Sequence, residues 1–477
     1  MLRGRRWLRV ALPAAVVVLV ATGVAAYVVT RPPGDISNPD VGFVDPTPTP
    51  KAPKTKGKAL KRGPDPFTWP VYGFTADHRR VFDAPRRLRG PWRRKWRRRA
   101  PALLEFPPVI ARGLILQLAD NGELRAMDKD SGETRWKRNL GRLSASTPAI
   151  DGGRVFATIL ATSSGSSRGR IVALRLRDGK ILWSHTLSSR SESSPLVADG
   201  KVYFGTEGGT VHALRARGGA AVWTYRASGA VKGSPTLSGG VLYFGDYSGR
   251  VHAIRALNGR RVWTVAPARR ALRSGTFYAT AAVAYGRVYI GSTDGREYSL
   301  SARDGRVAWA RQTGGYVYSS AAVSDVSGLG PTVFFGSYDG TFYAVDARSG
   351  RTRWSYRSGG RISGSPTVIG DVVYFSDLGR ERTFGLSART GRVVDRWNAG
   401  GYDPMIADRE KIYLTGQGSL TALVPRRADR SRKQRAGVQR RRAEKRQARQ
   451  RAQARERLRR SGSRARGARS GSRARRR

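Results

Sequence analysis

The sequence contains no cysteine. Disulfide bonds, thiolate nucleophiles and cysteine-ligated zinc are therefore excluded. The lipid anchor of a bacterial lipoprotein is excluded as well, because that lipid is attached to a cysteine. Histidine is also scarce, and its four residues lie far apart in the sequence, at His78, His185, His212 and His252. A histidine-based metal site is not expected from this distribution.

Acidic residues are few, since 34 Asp and Glu stand against 89 Lys and Arg and the formal net charge is +55. A field of this sign favours anionic partners such as nucleic acid, acidic lipid headgroups or an anionic envelope polymer. No stretch of the sequence gathers carboxylates into a set that would hold a metal ion or accept a substrate proton. The sequence therefore offers no candidate catalytic residue and no metal ligand.

Charge is missing from one long apolar run near the N-terminus. Residues 1–9 carry four arginines, and residues 10–29 carry no charge. Twenty residues in a helix rise about 30 Å, which is enough to cross the hydrocarbon core of a bilayer. The pattern predicts a cytoplasmic segment over 1–9 and a transmembrane anchor over 10–29, with the rest of the chain outside the cytoplasm. Ala25 and Ala26 leave a cleaved signal peptide as the alternative.

Two segments have compositions that do not support a packed core. Residues 30–66 are rich in Pro, Thr and Lys, which favours an extended spacer between the anchor and a folded domain. Residues 426–477 contain 24 Lys and Arg against three acidic residues. We expect this basic tail to be disordered until it binds an anion.

Between these segments, over residues 67–425, tryptophan recurs about every 43 residues, at Trp96, Trp136, Trp183, Trp223, Trp263, Trp309, Trp354 and Trp397. Each unit contains short segments that alternate with period two and are separated by glycine turns, which predicts four strands per unit. Such units are typical of a β-propeller. The last unit, 411–425, contains no strand with the repeated tryptophan. The first strand with that tryptophan, 93–99, is not preceded by the other strands of a unit. Pairing the two predicts an all-β, eight-bladed propeller with closed edges, and seven blades remain the alternative.

An eleven-residue sequence motif recurs along the repeat region. Ala126 occupies its first position, Gly132 its seventh and Trp136 its eleventh. The same spacing recurs over 173–183, 213–223, 253–263 and 344–354, and over 299–309 with serine in place of alanine. This motif resembles the tryptophan-docking motif of the pyrroloquinoline-quinone (PQQ) repeat family.

The resemblance covers roughly residues 67–425, and it implies that the tryptophan rings wedge between adjacent blades. The structural docking residues would be Trp96, Trp136, Trp183, Trp223, Trp263, Trp309 and Trp354 with Gly132, Gly179, Gly219, Gly259, Gly305 and Gly350. The seventh unit departs from the pattern, because two extra residues after Gly391 place Asp395, and not Trp397, in the docking position.

The family contains two functional classes. One comprises quinoprotein dehydrogenases, which hold PQQ and Ca²⁺ near the propeller axis with carboxylate ligands and often a disulfide of adjacent cysteines. The other comprises propellers that bind no quinone, such as the propeller lipoprotein of the outer-membrane β-barrel assembly machine. Because the cysteines and a carboxylate set are missing from this sequence, we expect neither PQQ nor Ca²⁺ and no enzymatic activity. A PQQ-dependent oxidoreductase is kept as the alternative.

Residues just before each innermost strand should face the central funnel. A possible polar rim for a peptide or small ligand is formed by Glu105, Glu192, Lys232, Tyr278, Tyr318 and Ser363; the alternative is a set of solvated loops.

Taken together, the sequence predicts a single-pass cell-membrane protein whose propeller lies outside the cytoplasm and acts as a scaffold. The expected partners are envelope proteins or anionic envelope polymers and lipid headgroups. Nucleic-acid binding through the tail is a second alternative. The sequence does not indicate an oligomeric state.

Overall fold

The computed structural model describes residues 34–46, 66–267, 275–402 and 405–426, together with Glu444. All elements of these segments are β-strands. The described part of the chain has no helix long and apolar enough to cross a bilayer. The predicted anchor over 10–29 and nearly all of the predicted basic tail over 426–477 lie outside the described residues.

Three strands precede the first complete blade: β1 (Ile36–Ser37), β2 (Val81–Phe82) and β3 (Trp92–Arg99). Blades 1 and 2 consist of β4 (Val109–Ala111), β5 (Leu114–Leu118), β6 (Glu123–Asp128), β7 (Thr134–Asn139), β8 (Ala149–Asp151), β9 (Arg154–Ile159), β10 (Arg170–Arg175) and β11 (Ile181–Thr186). Blades 3 and 4 consist of β12 (Leu196–Ala198), β13 (Lys201–Gly205), β14 (Thr210–Arg215), β15 (Ala221–Arg226), β16 (Thr236–Ser238), β17 (Val241–Gly245), β18 (Val251–Arg255) and β19 (Arg261–Val265).

Blades 5 and 6 consist of β20 (Ala282–Ala284), β21 (Arg287–Gly291), β22 (Arg296–Ser301), β23 (Val307–Gln312), β24 (Ala322–Val326), β25 (Gly330–Gly336), β26 (Thr341–Asp346) and β27 (Thr352–Arg357). Blade 7 consists of β28 (Thr367–Ile369), β29 (Val372–Asp377), β30 (Arg382–Ser387) and β31 (Val393–Trp397). Blade 8 consists of β32 (Met405–Ala407), β33 (Ile412–Gly416) and β34 (Ser419–Pro425), completed by β3.

Each blade is an antiparallel meander whose short first strand is innermost and whose fourth strand is outermost. The turns between second and third strands lie on the face where the fourth strand passes to the next blade; we call this the mouth face. The turns between first and second and between third and fourth strands lie on the opposite face, which we call the cap face. The second and third strands are buried almost throughout, as in β17 and β18 of blade 4, because both of their sides pack against neighbouring blades.

Blade 8 joins the two ends of the repeat array. Strand β3 pairs antiparallel with β34, with Trp96 opposite Ala422 as Trp136 is opposite Ala126 in blade 1. The prediction of eight blades closed by residues 93–99 and 411–425 is therefore confirmed, and the seven-bladed alternative is excluded.

A tryptophan ring lies at the boundary between neighbouring blades. Trp223 of blade 3 covers Gly259 of blade 4, where an added Cβ would lie 2.8 Å from the ring. The indole Nε1–H donates to the carbonyl oxygen of Ala256 at 3.1 Å. Gly259 has a φ of +71°, a conformation that glycine adopts without strain.

The same contact is made seven times around the ring, and every pair joins one blade to the next. An added Cβ on each glycine would lie 2.5–2.9 Å from the tryptophan ring in Trp96–Gly132, Trp136–Gly179, Trp183–Gly219, Trp223–Gly259, Trp263–Gly305, Trp309–Gly350 and Trp354–Gly391. In every pair the indole donates to the carbonyl three residues before the glycine. Burial of each ring contributes on the order of 2–3 kcal/mol.

The boundary between blades 7 and 8 uses a different contact. Asp395 occupies the docking position, opposite Gly385, and its Oδ2 accepts hydrogen bonds from Trp92 Nε1 at 3.0 Å and Tyr374 Oη at 3.1 Å. Here the tryptophan belongs to the following blade, so the direction of the contact is reversed. Trp397 is half-buried beside this boundary.

The first part of the predicted 30–66 spacer is packed on the propeller. Residues 34–46, which we call the strap, add β1 to the outer edge of blade 5, with Ile36 opposite Ala310. Val41 is 4% exposed, and the Arg287 guanidinium donates to the carbonyl oxygens of Val41 and Gly42. The spacer prediction is wrong for these residues because the overall Pro, Thr and Lys content concealed a short stretch with apolar residues.

We expect two glycine substitutions in blade 4 to distinguish how much the ring contact and how much backbone strain contribute to the free energy of unfolding. Gly259→Ala meets the Trp223 ring, whereas Gly240→Ala has a similar φ of +75° and open space around its Cβ. Gly240→Ala should lower the free energy of unfolding by about 1–2 kcal/mol, and Gly259→Ala by a further 1–3 kcal/mol or so. Chemical denaturation of both variants checks this. Equal losses would show that the ring contact contributes nothing.

Candidate functional site

A cavity of about 270 Å³ opens on the mouth face around the propeller axis. All six predicted rim residues line it: Glu105, Glu192, Lys232, Tyr278, Tyr318 and Ser363. They come together because each stands in the loop that leads from one blade's outermost strand to the next blade's innermost strand. We call this cavity the funnel.

Lys232 is held between two carboxylates on one side of the funnel. Its Nζ lies 2.7 Å from Glu192 Oε1 and 2.9 Å from Glu207 Oε1. Burial alone would lower the pKa of Lys232, but the hydrogen bonds that its ammonium group donates to both carboxylates outweigh burial and raise the pKa. Burial raises the pKa of Glu192 in spite of Lys232. The group is therefore a fixed, hydrogen-bonded arrangement of one cation between two acids.

Aromatic rings form the other side of the funnel. The Tyr318 ring lies 5.6 Å from the Tyr278 ring and 4.9 Å from the Tyr338 ring, measured between centroids. Tyr316 extends this cluster outwards and is 51% exposed. Burial raises the pKa of Tyr278 well above its usual value. The cluster presents flat apolar surface with hydrogen-bonding hydroxyls at its edges.

Serine and threonine hydroxyls connect the blades around the wall of the funnel. Ser234 N–H donates to Thr280 Oγ1 at 2.9 Å, Thr280 N–H to Ser320 Oγ at 2.9 Å, and Ser320 N–H to Ser365 Oγ at 3.0 Å. Ser234 and Ser365 are the serines of two of the Ser-Pro pairs that precede innermost strands. The recurrence of Ser-Pro could have revealed two members of this row of hydrogen bonds, which sequence reasoning missed.

The cap face of the axis is closed by residues 66–82, which we call the cap. Backbone hydrogen bonds connect it to the innermost strands of six blades, and β2 pairs in parallel with β28. Tyr72 of the cap lines the end of the funnel nearest the cap face, with its hydroxyl 2.9 Å from Ser365 Oγ. Arg80 is 2% exposed and donates to the carbonyl oxygen of Pro366 at 2.7 Å. The funnel is therefore open on one face only.

The funnel does not contain the donor set that PQQ and Ca²⁺ would require. Hard cations such as Ca²⁺ take six to eight oxygen ligands, and the acids Glu192 and Glu207 are already paired with Lys232. Across the described ranges, no three Asp, Glu, His or Cys side chains are grouped so as to hold a metal ion. These residues do not fit a calcium-bound quinone.

Sequence models of one family cover most of the chain. The family is described as outer membrane protein assembly factor BamB, and its models match residues 90–167, 120–317, 167–395 and 317–454. The chain belongs to this family of PQQ-like repeat propellers. The resemblance inferred from the eleven-residue docking motif is thereby confirmed.

Individual relatives match over a shorter stretch. This chain is 32% identical to outer membrane protein assembly factor BamB of Escherichia coli over 107 residues. The matched stretch is 22% of this chain and 25% of that protein. The chain is 32% identical over 103 residues to the same factor of Yersinia pestis, 21% of this chain and 24% of that protein. The chain thus spans about a quarter of the length of these relatives.

Solved structures share the fold. BamB from Moraxella catarrhalis has a TM-score of 0.57 and 20% identity, covering 71% of this chain and 98% of that one. A europium-containing methanol dehydrogenase has a TM-score of 0.64 and 14% identity, covering 76% and 98%. Because identity is low, both show the propeller architecture and do not decide between a scaffold and an enzyme.

We expect the cap to make stability depend on pH. His78 is buried in the cap beside Thr236 Oγ1 at 2.9 Å, and burial, followed by the nearby charge of Arg80, lowers its pKa to about 3. Below the ordinary histidine pKa the unfolded chain binds a proton here that the folded protein does not. Stability should therefore fall by up to about 1.4 kcal/mol per pH unit as pH drops from about 6.5.

Unfolding free energies measured between pH 5 and 7.5 check this expectation for the wild type, His78→Gln and His185→Gln. His78→Gln should reduce the slope, and His185→Gln, at an exposed position, should leave it unchanged. An unchanged slope in His78→Gln would show that the histidine in the cap is protonated in the folded protein.

Proposed function

We propose that the protein is a membrane-anchored, extracytoplasmic scaffold without catalytic activity, which binds a segment of another envelope protein in its funnel. The observation that supports this most is the tyrosine cluster at the mouth, where Tyr316 is half exposed and packs on Tyr318 and Tyr338. Rigid aromatic side chains with hydroxyl groups are the residues most enriched at protein-binding surfaces. Membership of the BamB family agrees with a role in envelope protein assembly.

A peptide fits the funnel better than a reacting small molecule does. The tyrosines offer stacking surface, while the group Glu192–Lys232–Glu207 and the serine hydroxyls offer polar contacts to a backbone or a charged side chain. Catalysis would require a group with a free lone pair or proton aimed at a substrate, whereas Lys232 is already hydrogen-bonded to both acids. We therefore favour the scaffold over a PQQ-dependent oxidoreductase.

The basic tail supplies a second contact in this proposal. Its composition suits an anionic envelope polymer or acidic lipid headgroups, each basic residue contributing about 1 kcal/mol near a charged surface. Nucleic acid is not favoured, because the predicted anchor places the tail outside the cytoplasm.

Site-specific photocrosslinking in cells tests the binding surface. With a photoreactive residue in place of Tyr316, we expect a discrete adduct with an envelope protein. The adduct should be strongly reduced when Tyr338→Ala is added, because Tyr338 lies beside position 316, with 6.2 Å between the ring centroids in the wild type, and belongs to the same proposed binding surface.

The matched control carries the photoreactive residue at Leu257, an apolar residue on the cap face of blade 4 that is 73% exposed. No adduct, or the same adducts from both positions, would contradict binding at the funnel.

A further inference from the structure

The strap runs along the outer edge of blade 5 in a defined direction. Strand β23 runs from the cap face to the mouth face, and β1 is antiparallel to it, so the strap enters at the mouth face. At the entry point Asp35 accepts a hydrogen bond from Gln312 N at 2.8 Å and forms an ion pair with Arg311 at 2.6 Å. At the other end, Val44 N–H donates to the backbone carbonyl oxygen of Tyr285 on the cap face at 3.0 Å.

Little chain separates this entry point from the predicted membrane span. The apolar run ends at Val29. Gly34 is attached to blade 5, because its carbonyl oxygen accepts a hydrogen bond from Arg296 Nη2 at 2.6 Å. A fully extended chain reaches at most about 3.6 Å per residue, so Gly34 lies within about 18 Å of the end of the span.

That reach excludes an orientation in which the cap face lies against the bilayer. The strands of blade 5 are five to six residues long, so the two faces are separated by about 20 Å of strand before the turns are added. If the cap face touched the bilayer, Gly34 at the opposite face would lie beyond the reach of the connection.

We infer that the mouth face lies against the membrane, so that the funnel receives an extracytoplasmic segment of a protein embedded in that same membrane. The inference rests on the anchor in the proposed function and adds the orientation of the propeller and the source of its partner. Tyr316 lies four residues after the end of β23, in the mouth-face loop that leads to blade 6. Tyrosine suits this place, because its amphipathic ring is favoured at membrane–water interfaces.

The absence of cysteine from the sequence allows single cysteines to test the orientation. Tyr316→Cys and Arg303→Cys place a fluorophore near the two ends of β23, on the mouth and cap faces respectively. Tyr316 is 51% exposed, and the Arg303 side chain is 88% exposed. The full chain is reconstituted into neutral phosphatidylcholine vesicles with headgroup-attached quencher in both leaflets, at about 0.15 M salt so that the basic charge is screened.

The orientation is supported if the fluorophore at 316 is quenched and the one at 303 is not. Equal quenching at both positions would show that the propeller lies on its edge, and quenching of neither would show that residues 30–33 do not hold it at the surface. Either result overturns the inference. Failure of the protein to float with the vesicles would instead contradict the anchor itself, so the two failures are distinguishable.

Two insertions serve as matched controls. A flexible Gly/Ser stretch of about 20 residues spans roughly 25 Å on average. Placed between Pro33 and Gly34 it should abolish quenching at 316, because it lengthens the connection before the strap. Placed between Pro48 and Thr49, after the strap, it should leave quenching unchanged. Identical effects of the two insertions would contradict a strap that fixes the propeller to the anchor.

Discussion

The structure depends on one contact, a tryptophan ring that covers the glycine turn of the next blade and donates its indole N–H to a carbonyl there. Seven of the eight boundaries between blades use it. A blade alone is a twisted four-stranded sheet with both sides apolar, so it is stable only between two neighbours. The glycine is required because any Cβ would occupy the volume of the ring, and its positive φ costs other residues about 1–2 kcal/mol.

Closing the ring leaves the mouth loops free to differ. Since the boundaries hold the blades in place, the residues before each innermost strand need not pack a core, and they vary from Glu192 to Tyr278 to Ser363. The funnel thus combines a rigid wall of serine and threonine hydrogen bonds with a variable rim. Function on such a scaffold resides in the rim residues, which is why relatives of one fold can be assembly factors or dehydrogenases. In this chain the rim presents tyrosines and a closed Glu–Lys–Glu group.

Sequence reasoning reached the blade count and six residues of the funnel lining because both recur with the period that glycine and tryptophan mark. It missed Tyr338 and Glu207, which lie in turns between second and third strands. It found Asp395 in the docking position, but not that Trp92 completes that boundary, since the two residues are 303 positions apart in the sequence and Trp92 is not at a docking position of the repeat. The strap was missed because its few apolar side chains have no period, and their burial depends on the edge of blade 5. The cap likewise uses backbone hydrogen bonds to six blades, which no side-chain pattern records.

Hydrogen exchange of the indole N–H groups, resolved by NMR on tryptophan-labelled protein, tests the seven-fold contact most directly. The indoles of Trp96, Trp136, Trp183, Trp223, Trp263, Trp309 and Trp354 should exchange slowly and together, because their opening requires separation of the blades. Trp397, whose Nε1 has no acceptor among the described residues, should exchange faster. If the seven exchanged as rapidly as Trp397, or independently of one another, the boundaries would not hold the ring together and the account would be contradicted.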